Sequence, residues 1–84
     1  MRQKIIRGLL VSLLRADDQP MPQMALITAA QLMCRPDSPT DGDVIDVMKE
    51  LQSQQFIHGA MDALTKESIW ALTGKGLLKA RELR

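Results

Sequence analysis

Aromatic side chains are nearly missing from this chain: Phe56 and Trp70 are the only two. A core must therefore be built from Leu, Ile, Val, Ala and Met. The six methionines point to adaptable packing or to an apolar contact surface. Cysteine is just as scarce. Cys34 stands alone, which excludes an intramolecular disulfide and a cysteine-built metal cage. In a loop it is a spare thiol, reactive only if exposed. His58 is the only histidine, so a histidine metal site or a histidine-activated nucleophile lacks its companions. It is expected as a half-buried strand residue. Long apolar runs are absent as well, and nothing approaches the ~20 residues of a membrane span. Residues 5–14 follow Arg2 and Lys4 much as a signal peptide would. Arg7, Gly8 and Ser12 interrupt that run, and no small-residue cleavage site follows. A soluble, cytoplasmic protein is expected.

What is present is a chain of 84 residues, room for one domain over residues 1–84 and one modest core. The net charge of +1 hides a segregation. Residues 1–35 carry five basic and two acidic groups, residues 36–57 one and five, and residues 58–84 five and three. Cationic ends and an anionic middle speak of partners rather than of fold.

Helix periodicity begins at once. Ile5, Ile6, Leu9, Leu10, Leu13 and Leu14 recur as pairs four apart and predict a helix from about Gln3 to Ala16. Lys4, Arg7, Val11 and Arg15 fall on its other side, either as a solvated face or as a basic strip for a polyanion. Arg15 also suits the helix dipole. Asp17 to Pro22 is a connector, since Pro20 and Pro22 forbid a continuous helix; Met21 could supply a very short strand. A second helix is predicted over 23–33, with Pro22 as its first residue. It is apolar almost all round. Either Ala25, Ala29 and Ala30 let neighbours pack closely, or Met24, Leu26 and Met33 meet a second molecule, most simply another copy of the chain. After a loop with two prolines, Thr40 with Asp43, or Ser38 with Pro39 and Asp41, can cap a third helix over 41–54. Val44, Val47, Met48 and Leu51 form its buried stripe, with Ile45 beside it. Asp43, Asp46, Lys49, Glu50 and Ser53 point outward.

The stretch from Gln55 to Gly76 follows. Phe56 and Ile57 open a strand, and Gly59 allows a bulge or a close backbone approach. Residues 63–67 form a loop. Ser68 to Leu72 alternate, with Ile69 and Ala71 on one face and Trp70 and Leu72 on the other. Thr73 then caps a last helix running to Leu83. Leu77, Leu78 and Ala80 are expected inside, with Lys75, Lys79, Arg81 and Arg84 outside. Ile57-x-Gly59 before the turn and Trp70-x-Leu72-Thr73-x-Lys75-Gly76 after it resemble the wing of a winged helix-turn-helix domain of the small bacterial or phage type. The resemblance implies a mainly α fold with a small β-hairpin (α+β): three core helices, a two-stranded wing and a C-terminal helix.

Chemistry of other kinds finds no support. Asp41, Asp43 and Asp46 lack calcium-loop spacing and its closing glutamate. Residues 74–76 are not a phosphate loop, although backbone amides after Thr73 could hold one phosphate. No catalytic residue, metal, cofactor, membrane or small-molecule substrate is expected. The winged-helix resemblance implies DNA binding, with Lys4, Arg7, Arg15, Lys49, Ser53, Lys66, Lys75 and Lys79 as candidate contacts and Gln52 beside them. Three carboxylates against one ammonium on the outward face of the third helix suit phosphates poorly, so the wing and the helix termini would have to supply the contacts to the DNA backbone. The alternative is a protein-interaction or dimerisation module using Met24, Leu26, Met33, Asp43, Asp46 and Glu50.

Overall fold

The computed structural model describes residues 1–16 and 19–84. Asp17 and Asp18, part of the predicted connector, lie outside the described residues. Helix α1 spans Arg2–Arg15, strand β1 Met21–Pro22, helix α2 Gln23–Met33 and helix α3 Asp41–Ser53. Strands β2 (Ile57–Met61) and β3 (Ser68–Leu72) form a hairpin, and helix α4 spans Gly74–Leu83.

Helix α1 sits at the centre, packed against α2, α3, α4 and β3. Its paired apolar positions reach several neighbours at once, and Leu9, Leu10 and Val11 are each 0% exposed. Burying such a side chain stabilises by roughly 1.5–3 kcal/mol. Val11 was expected on the outer strip with Lys4, Arg7 and Arg15. It is buried because residues 8–13 of this central helix are covered all round, which separates Arg15 from Lys4 and Arg7 and leaves no continuous strip. On α2, the small residue that brings a neighbour close is Ala30. A Cβ on Gly8 of α1 would lie 3.1 Å from the Ala30 carbonyl oxygen, so the two helix backbones nearly touch there.

The sheet order is β1-β3-β2, all antiparallel. Met21 pairs with Trp70 and Pro22 with Ile69. Pro22 therefore closes β1 and serves as the N-cap of α2, with ψ 146°, rather than as the first helical residue. Gly59 faces Trp70 in an unbroken register, and a Cβ there would sit 3.0 Å from the indole. Close approach, not a bulge, explains that glycine. Trp70 and Leu72 lean on the core, and the indole donates to Gln23 Oε1 at 3.2 Å.

Caps set the helix starts. Thr40 Oγ1 accepts from the Asp43 amide at 3.1 Å, and Asp43 Oδ2 accepts from the Thr40 amide at 3.1 Å. This reciprocal box satisfies two of the free donors at the start of α3. Thr73 Oγ1 accepts from the Gly76 amide at 2.9 Å and donates to the Gln55 carbonyl at 2.6 Å. One hydroxyl thus caps α4 and ties it to the end of α3. That end is closed by Gln55 at φ 66°. The Phe56 amide returns to the Leu51 carbonyl at 2.9 Å and the Gln55 amide to Gln52 at 3.0 Å, which is a Schellman closure. Phe56 belongs to this closure, so the strand opens one residue later than expected, at Ile57.

Three more expectations fail. Leu78 is 65% exposed, and the inner line of α4 is Gly76, Ala80 and Leu83. A side chain at Gly76 would overlap the Phe56 carbonyl, so α4 docks by its glycine. His58 is exposed, because its strand turns only Ile57 into the core. Cys34 is not a loop thiol but a buried residue capping α2, and burial beside Asp37 pushes its pKa up.

Candidate nucleic-acid interface

Helix α3 has a simple wheel. At roughly 100° per residue, Val44, Val47, Met48 and Leu51 share the buried side. The line away from the core passes Gly42, Asp46, Lys49 and Ser53, all exposed. Ile45 and Gln52 follow on one flank. Asp43 and Glu50 share the other flank, where they line a groove of about 380 Å³ with Met1, Arg2, Ile5, Asp46 and Val47.

The three carboxylates are not equivalent. Asp43 belongs to the capping box and sits at the positive end of the helix dipole. Glu50 is paired with Arg2 of α1: Arg2 Nε donates to Glu50 Oε2 at 3.0 Å, and a second bond joins the same two groups. The carboxylate raises the Arg2 pKa, through the hydrogen bond first and the charge second. Asp46 has no ion-pair partner among the described residues. The outward side of α3 thus carries one unpaired carboxylate, one ammonium (Lys49) and neutral polar groups, much less acid than its sequence suggests.

Gln52 marks the edge shared with the hairpin. With Gly59, Ala60, Met61, Ser68 and Trp70 it lines a shallow groove of about 250 Å³. The hairpin runs on into a tight tip. Asp62 Oδ1 accepts from the Leu64 amide at 2.8 Å and the Thr65 amide at 3.3 Å. The Lys66 amide donates to the Asp62 carbonyl at 2.9 Å, with Lys66 itself at φ 63°. That left-handed backbone normally selects Gly or Asn. Lysine occupies it here, exposed, two residues from Leu64, which is 93% exposed.

The other basic candidates are partly committed within the chain. Lys4 Nζ lies 2.6 Å from Asp37 Oδ2; this contact raises the Lys4 pKa and holds Asp37 below the usual carboxylate range. Arg7 Nε donates to the Leu83 carbonyl at 3.1 Å. Lys75 Nζ donates to the Gln54 carbonyl at 3.0 Å and lies 4.5 Å from the Phe56 ring centroid, so it satisfies the C-terminal end of α3. Lys79 pairs with Glu82 at 3.5 Å. Arg15 is exposed at the end of α1. Lys49 and Lys66, by contrast, have no ion-pair partner among the described residues. Arg2, missed as a functional residue, is the one that pairs with Glu50 of α3. Nothing local in sequence marks it, because 48 positions separate it from Glu50.

The candidate protein-interaction residues divide. Leu26 is 0% exposed and cannot touch a partner. Met33 is half-buried, its sulfur accepting from Ser12 Oγ at 3.5 Å. Met24 is 62% and Leu32 53% exposed, on one line of α2 with Thr28.

A three-helix core, a short strand β1 returning to a β-hairpin, and α3 presented beside that hairpin define a winged helix-turn-helix domain. The sequence itself matches no protein-family model and no curated protein; the likeness is one of structure. The chain is similar to MepR of Staphylococcus aureus, a transcription regulator of the multidrug efflux pump MepA, with TM-score 0.75 and 18% identity over 94% of this chain and 53% of that one. A MepR mutant from a multidrug-resistant clinical isolate matches with TM-score 0.71 and 20% identity, over 93% of this chain and 53% of that one. A further MepR mutant bound to an oligodeoxyribonucleotide matches with TM-score 0.69 and 21% identity, over 93% and 53%. The chain spans about half the length of these regulators. No helix among the described residues is long and apolar enough to cross a membrane.

Proposed function

We propose that this chain is a non-enzymatic, DNA-binding winged-helix module of the kind used in transcription regulation. In this reading α3 enters the major groove with Lys49, Gln52 and Ser53, and the wing lays Lys66 on the backbone. Arg15, Lys75 and Lys79 add weaker phosphate contacts, and Lys4 and Arg7 contribute only by leaving their present partners. The exposed Lys4–Asp37 ion pair is worth little, so its exchange for a phosphate is cheap. The observation that carries the reading is the contrast among the lysines. Lys49 on α3 and Lys66 at the wing tip are unpartnered among the described residues, while the three other candidate lysines, Lys4, Lys75 and Lys79, are engaged. The fold shared with MepR, one structure of which holds an oligodeoxyribonucleotide, supports the same reading. Gel retardation of duplex DNA across a salt series tests it. Two to four phosphate contacts predict a log K against log salt slope of about −2 to −4. No retardation at low salt and micromolar protein would remove the proposal.

The exposed Met24–Thr28–Leu32 line supports a second reading, protein interaction through α2, either with another copy or with a different chain. Sedimentation over a wide concentration range tests the first form; a monomer throughout would dismiss it.

A further inference from the structure

We infer that Asp46 and Lys49 together read a C·G base pair, so that the unpaired carboxylate of α3 is a specificity determinant rather than a liability. The inference rests on the DNA-binding reading above. Its starting point is an imbalance: of the four acids on α3, Asp41 accepts from Gln31 Nε2 at the helix start, Asp43 is used by the cap and Glu50 by Arg2. Asp46 is exposed and has no such explanation. It is too deep for the helix dipole, which acts within the first turn.

Geometry gives it a place. Asp46 and Lys49 fall about 30° to either side of the line pointing away from the core, at roughly 100° per residue. Being three apart, their Cβ atoms are about 5–6 Å from each other. They make no ion pair within the described residues, so acceptor and donor both stand free, side by side. In the major groove a C·G pair shows a complementary arrangement. Cytosine offers its N4 amino donor, and guanine offers the O6 and N7 acceptors. A carboxylate accepts from the first and an ammonium donates to the second. The other base pairs match it less well: an A·T pair keeps an amino donor at adenine N6 but puts the single thymine O4 beside it in place of the guanine O6 and N7 couple, and G·C presents the two halves in reverse order. A carboxylate here also repels phosphates, which weakens binding to sequences lacking the match. That is how an unfavourable charge sharpens discrimination.

The test is enrichment of a random duplex pool by the wild-type chain and by Asp46→Asn, each checked for folding by circular dichroism. The wild type should enrich sites with one fixed C·G pair. Asn pairs with adenine N6 and N7, so Asp46→Asn should move that position from C towards A. On the wild-type site the variant should bind roughly 5- to 20-fold more weakly, and on unrelated duplexes more tightly. Lys49→Ala should relax the same position. If wild type and Asp46→Asn enrich the same sites, the inference is wrong while DNA binding stands. If neither enriches any site above the unselected pool, sequence reading fails with it. If neither binds duplex at all, the underlying reading fails too.

Discussion

Replacing Lys66 with glycine should make the domain more stable and its grip on DNA weaker. Lys66 holds φ 63° at the wing tip, where an L-residue costs roughly 1–2 kcal/mol. Glycine removes that cost but gives back about 0.5–1 kcal/mol through its freer unfolded chain. The backbone bond from residue 66 to the Asp62 carbonyl is kept in the variant. The net gain is about 0.5–1 kcal/mol, or roughly 2–8 °C in Tm for a domain of this size. The ammonium is lost in the same step. One phosphate contact fewer flattens the salt slope by about 1. Near 0.1 M salt, affinity should fall by roughly five- to tenfold. Urea or thermal melts measure the first quantity, and fluorescence anisotropy on labelled duplex the second. Lys66→Ala separates the two, since it loses the charge without gaining the stability. A Lys66→Gly variant that is less stable, or that binds DNA as tightly as wild type with the same salt slope, would refute the reasoning.

Other outcomes follow from particular contacts. Gln55→Gly should stabilise by about 0.5–1 kcal/mol and leave DNA affinity unchanged, as read by melts and anisotropy, because its left-handed backbone belongs to the closure of α3. Gly76→Ala should destabilise by about 3 kcal/mol, measured by urea unfolding, because its Cβ would overlap the Phe56 carbonyl. Asp37, held below the usual carboxylate range by Lys4, contributes stability that is present above its unfolded pKa and lost as pH falls through the folded one. The stability difference between wild type and Asp37→Asn should therefore vanish in acid titration over that window. Cys34 is buried with a raised pKa, so a thiol reagent at neutral pH should label it only as fast as the chain opens.

Local signals were the legible ones. The Thr40–Asp43 box and the Thr73 cap need residues only three apart, and both are visible in the string. The paired leucines of α1 and the alternation in β3 likewise announce their elements. Burial was harder to read wherever one helix touches many others. Val11 looked outward on a two-sided wheel, yet α1 is surrounded. Leu78 looked inward, yet glycine brings α4 so close at residue 76 that the contact line rotates onto Ala80 and Leu83. The acidity of α3 is offset in part by Arg2, which pairs with Glu50 from far away in sequence. Among the described residues neither left-handed one is a glycine, so Gln55 and Lys66 carried no mark of their conformation.

The most direct measurement is an NMR titration of the isotopically labelled chain with a short duplex at low salt. Amide shifts should concentrate on α3 at residues 42, 45, 46, 49, 52 and 53 and on the wing from 62 to 67, and fade as salt is added. Shifts gathered instead along Arg7 and α4, or a spectrum that does not respond to duplex at all, would contradict the account.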